Sequence, residues 1–175
     1  MDVIFKVLTT YWNQFLILVA LVGYFGNRFF ERKFKERELK STLFQTQKLA
    51  AINKFIQIYT GTETMFNQLP YYDIFAGNHT AKELDAMVQP SLNSLRLALN
   101  ELKLFLKPNE LKSYQEINDN VKGLMEILTN LYFNRDKKSD GSCEANEYSF
   151  AVQKMIGKNK INLSNIGAEF RSTYL

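Results

Sequence analysis

Along most of this chain apolar side chains recur every three or four residues, the spacing of one face of an α-helix. Leu84, Val88, Leu92, Leu95, Leu99, Leu102 and Leu106 form one such stripe. Leu111, Tyr114, Ile117, Val121, Leu124, Leu128 and Leu131 form a second. Tyr148, Val152, Met155 and Ile156 begin a third, which Ile166, Phe170 and Tyr174 extend. Upstream, residues 28–59 contain no proline or glycine, so the opening helix is expected to continue through them, with Phe30 and Phe34 on one side and Leu49, Ile52, Phe55, Ile56 and Tyr59 marking its inner face in the bundle. Four stripes of this kind predict an antiparallel bundle of about four helices.

Boundaries come from the polar and conformationally special residues between the stripes. Thr80 and Glu83 have capping-box spacing and predict a helix start. Lys107, Pro108 and Asn109 predict a short connection between the two leucine-rich helices, and Pro90 predicts a bend in the first. The charged stretch 134–144 reads as a solvated loop. Thr60 and Gly61 predict a helix break, and Gly157 predicts a kink or two shorter helices. Between the break and Thr80, Phe66, Tyr71, Tyr72 and Phe75 cluster around Pro70. Such a cluster either covers an end of the core or forms a partner surface, and covering the core is the favoured reading.

The opening pattern is different. Residues 7–27 contain no charged side chain, and as a helix they extend about 30 Å, the thickness of a bilayer's hydrocarbon core. Val7, Phe15, Leu18, Leu21 and Phe25 represent the expected membrane span. Tyr11 and Trp12 on one side, with Tyr24, Phe29 and Phe30 on the other, stand where the two interfaces would fall. Asn13 and Gln14 oppose insertion, and the strictly apolar heart, residues 15–25, is only eleven residues long. A buried helix of a soluble protein and a cleaved signal peptide are the competing readings. The second is disfavoured because no small-x-small pattern precedes a cleavage point.

Charge gives the span a direction. Residues 28–60 carry eight basic and three acidic side chains, whereas residues 61–175 carry 13 basic and 14 acidic ones. A basic flank directly after an apolar segment predicts that it stays cytoplasmic, with the amino terminus outside a plasma or inner membrane. Arg28, Arg32, Lys33 and Lys35 are then the expected contacts for anionic headgroups. Glu31 to Lys35 and Glu36 to Lys40 have the spacing of local ion pairs. Nucleic acid is not an expected partner, because the remainder of the chain supplies no basic face. The expected organisation is an anchor (1–27), a basic membrane-proximal helix (28–60) and the rest of one cytoplasmic bundle (61–175).

Reactive residues are sparse. His79 is the only histidine and Cys143 the only cysteine, so neither a histidine-based triad, a histidine- or cysteine-based metal centre nor an internal disulfide has its parts, while a carboxylate-only metal site stays open. Glu116 and Asp119 share a helix face but read as solvated, and no glycine-rich phosphate loop occurs. No cofactor is expected. Asn78-His79-Thr80 and Asn162-Leu163-Ser164 match glycosylation acceptors that a cytoplasmic domain would never present to that machinery. These observations imply a non-catalytic, single-pass interaction module: a scaffold, sensor subunit or regulator with a protein partner. The alternatives are a membrane-active effector or pore component that forms a homo-oligomer through its anchor, and a small carboxylate-dependent enzyme.

Overall fold

In a computed structural model the chain is all-α, and residue 6, residues 10–135 and residues 140–174 are described. Five helices follow one another: α1 (Trp12–Gln68), α2 (Tyr71–Phe75), α3 (Ala81–Leu102), α4 (Pro108–Asn134) and α5 (Ser142–Tyr174). No strand occurs among the described residues. The chain divides into two compact units, Met1–Thr46 and Gln47–Leu175.

The second unit is a helical bundle whose polarity follows from its cross-links. Lys54 Nζ meets Glu101 Oε2 at 2.6 Å, so the bundle part of α1 runs beside the end of α3. Tyr132, near the end of α4, donates its hydroxyl to the His79 carbonyl just before α3, which makes α3 and α4 antiparallel. Asn120 donates to Asn159 at 2.7 Å, while Tyr148 reaches Phe66. Helix α5 therefore runs opposite to both α4 and α1, in an up-down-up-down order. The stripes meet in one core that includes Phe55, Tyr59, Phe66, Leu95, Ile117, Leu124, Leu128 and Tyr148, all under 3% exposed.

Local chemistry explains most of the ends. Thr80 Oγ1 accepts from the Glu83 amide at 3.3 Å while Glu83 Oε2 accepts from the Thr80 amide at 2.8 Å, the expected capping box. At the start of α4, Glu110 Oε2 reaches back to the Lys107 amide at 2.8 Å. Asp140 accepts from the Ser142 amide at 3.0 Å where α5 begins. Gly141 is fixed by geometry: its φ is +72°, and a Cβ there would stand 2.5 Å from the Phe75 carbonyl carbon.

Three expected boundaries are corrected. Helix α1 runs through Thr60 and Gly61 to Gln68. Gly61 points to solvent, and Thr60, Thr62 and Thr64 each bond the carbonyl four residues back at 2.9 Å, so the backbone has no reason to break. Helix α5 is continuous across Gly157, because its inner face continues through Asn159, Asn162 and Ile166. The predicted loop ends earlier than residue 144, at the Asp140 cap; residues 136–139 lie outside the described residues. Pro90 stays inside α3, and both it and Ala86, whose carbonyl it leaves without an amide partner, are exposed.

The described part of the expected span does not by itself make a crossing. Among the described residues no helix is long and apolar enough to cross a membrane. Asn13 and Gln14 on one side and Gly23, Gly26 and Asn27 on the other interrupt the apolar run. Val7, with which the expected span begins, lies outside the described residues.

Candidate membrane interface

In the first unit the sequence places apolar residues on every side of one helix. At about 100° per residue, Leu16, Val19, Leu21, Val22, Tyr24 and Phe25 point around the whole circumference. Each is between 48% and 65% exposed. Of Phe15 and Leu18 the structure describes the backbone alone. A helix apolar on all sides is stable when something apolar surrounds it, either a protein core or lipid. Tyr11, Trp12, Phe29 and Phe30 extend the exposed aromatic surface at both ends of this segment.

The basic residues that follow reach back toward these rings. Arg28 Nη1 donates to the Tyr24 hydroxyl at 2.6 Å, and its guanidinium lies 5.9 Å from the ring centre. Lys33 Nζ sits 4.7 Å above the Phe29 ring. Tyr24, Asn27, Arg28, Glu31, Arg32 and Lys35 line a shallow concavity along one side of the helix. Three of them are cationic and one is anionic, a composition that suits an anionic headgroup. Lys33 belongs to a different side. The expected pairs of Glu31 with Lys35 and Glu36 with Lys40 are not among the ion pairs of the described residues, and Glu31 instead accepts from Asn27 at 3.3 Å.

The aromatic cluster around Pro70 splits into two parts. Phe66 and Phe75 are buried in the bundle. Tyr71 is half-buried, 5.5 Å from the Tyr148 ring and 4.9 Å from that of Tyr72. Tyr72 alone is broadly exposed, with its hydroxyl 3.5 Å from Asn146. Any partner that touches this region therefore meets Tyr72 and the edge of Tyr71.

Inside the bundle lies a polar layer that the sequence reading missed. Tyr59 donates to Glu63 Oε2 at 2.5 Å, Asn120 donates to Asn159 Oδ1, and Asn159 Nδ2 reaches the Met155 sulfur at 3.0 Å. Asn159 is fully buried, with Asn118, Asn162 and Thr62 nearly so. Burial, then the Glu63 carboxylate, pushes the Tyr59 phenol well above its ordinary range. The available signal was positional: Thr62, Asn159 and Asn162 occupy helix-face positions otherwise filled by apolar residues.

No group of three or more His, Cys, Asp or Glu side chains that could hold a metal exists among the described residues. The chain matches no family model, no curated protein and no solved structure.

Proposed function

We propose that this protein is a membrane-attached, non-catalytic helical interaction module whose bundle works at the cytoplasmic face. The observation that carries the reading is the helix apolar on every side, with its large side chains exposed, directly followed by a basic segment. Fully burying one large apolar side chain contributes about 1.5 to 3 kcal/mol, and each cation held near an anionic surface adds about 1 kcal/mol. Six such side chains and Arg28, Arg32 and Lys35 together support stable attachment. In this reading the opening helix is set in the bilayer with the amino terminus outside, and Tyr11, Trp12, Tyr24 and Phe29 meet the headgroups. The bundle presents Tyr72 and its helix faces to a protein partner.

Sidedness tests the reading. Full chains carrying Cys143→Ser with either Val3→Cys or Ser41→Cys are reconstituted into phosphatidylcholine–phosphatidylglycerol vesicles and treated with an impermeant maleimide. The reading predicts that in vesicles of one orientation only one of the two cysteines reacts until detergent is added. Equal labelling of both without detergent means that the helix lies in one leaflet and overturns this sidedness.

A further inference from the structure

One side of α1 within the first unit carries a pattern that lipid does not account for. Ala20, Gly23, Asn27, Phe30, Phe34 and Ser41 lie on a line of three- and four-residue steps that also passes Arg37. Phe30 and Phe34 are 72% and 73% exposed, in a stretch too densely charged to sit in hydrocarbon. Lys33 and Lys40 run along one edge of this line, and Glu31 and Glu38 along the other. No ion pair among the described residues engages Lys33, Glu38 or Lys40.

The geometry points to a second copy of this chain as the occupant, packed parallel and in register. In a parallel pair of helices, the residue that precedes one seam position faces the residue five places later on its neighbour. Lys33 of each copy then meets Glu38 of the other, twice by symmetry. By the same rule Lys40 faces Gln45 and Glu31 faces Gly26, so the two symmetric Lys33–Glu38 pairs carry the charge complementarity. Arg37 shares the seam, and its long stem carries the guanidinium out toward the edge that holds Glu31 and Glu38. Ala20 and Gly23 leave room for the same two helices to approach closely nearer the amino terminus; a Cβ added at Gly23 meets nothing within 4 Å.

The choice of face is not arbitrary, because α1 has a second apolar line through Phe25, Phe29, Leu39 and Leu43. Its edges carry Arg28, Lys33, Lys35 and Lys40, which repel one another in a self-pair. The Phe30–Phe34 line is thus self-complementary and the other line is not. This pairing rests on the membrane reading, since a bilayer sets two anchored chains parallel, at one depth and at high effective concentration.

The test uses the full chain with Cys143→Ser, carrying either Ser41→Cys on the line or Glu36→Cys on the opposite side, in phosphatidylcholine–phosphatidylglycerol vesicles diluted with excess lipid. Oxidation is expected to link most Ser41→Cys chains into dimers and few Glu36→Cys chains. In the Ser41→Cys background, E31K/E38K and K33E/K40E should each lower the dimer yield several-fold, and mixing the two should restore it. Equal linking at residues 36 and 41, dimer yields indifferent to the charge changes, or no recovery on mixing overturns the pairing. Flotation of the same samples reads the anchor separately: chains that float but do not link reject the pair alone, whereas chains that sink reject the membrane reading.

Discussion

The hydroxyl of Tyr148 on α5 donates to the backbone carbonyl of Phe66 on α1 across 3.0 Å of buried space. That carbonyl would ordinarily receive the amide four residues later, but residue 70 is proline and has none. Tyr148 therefore supplies the missing donor where α1 ends and clamps α5 to that end. Removing it in Tyr148→Phe leaves the carbonyl buried and unpaired, which should cost about 1 to 3 kcal/mol. Urea titration of the bundle's helical signal measures the loss; an unchanged midpoint would show that the bond carries no weight.

The same phenol should make the fold sensitive to alkali. Burial raises its pKa in the folded chain above the ordinary value near 10, and Tyr59 is raised likewise. Between the unfolded and folded values the unfolded state holds fewer protons, so stability is complete below about pH 10 and is lost as pH rises beyond it. Melting temperatures taken from pH 8 to 11 should fall at the upper end. The fall should be shallower in Tyr148→Phe.

Core register is tested by contrast between a leucine on a stripe and one off it. Leu124 is 2% exposed and Leu97 is 66% exposed. Leu124→Ala should cost about 2 to 5 kcal/mol through lost burial and a residual cavity, and Leu97→Ala should stay within about 0.5 kcal/mol. Similar costs at the two positions would contradict the packing described.

Much of the bundle was legible because its signals are local. The leucine stripes of α3 and α4 repeat without interruption, and Thr80 and Glu83 state their own helix start, so period and chemistry agree. The errors arose where a core position holds a polar residue. Thr62 beside Gly61 and Asn159 beside Gly157 interrupt the apolar pattern, yet each stays helical because its partners lie on other helices or four residues back. Such partners are invisible to local periodicity. The buried polar layer was missed for that reason. The opening segment was legible as apolar, but its length depended on Val7, outside the described residues, and on tolerance of Asn13 and Gln14.

Acid should weaken the fold through three capping carboxylates. The Thr80 amide and then its hydroxyl hold Glu83 below the ordinary carboxylate value, the Lys107 amide followed by Lys48 does so for Glu110, and Ser142 does so for Asp140. Because each pKa is lower in the folded chain, the unfolded chain takes up protons first. Their contribution is present above about pH 4.5 and disappears as pH falls through the folded values. Thermal unfolding between pH 6 and 3 should show this decline. Glu110→Gln should show a smaller decline, and Thr80→Ala should lose about 1 kcal/mol at neutral pH from the cap itself.

Flotation of the full chain through a density gradient tests membrane attachment most directly. With phosphatidylcholine–phosphatidylglycerol vesicles the protein is predicted to rise with the lipid and to remain there after alkaline carbonate and high salt, which strip proteins held by charge alone. A chain that stays in the dense aqueous fraction, monodisperse and without amphiphile, would contradict the account.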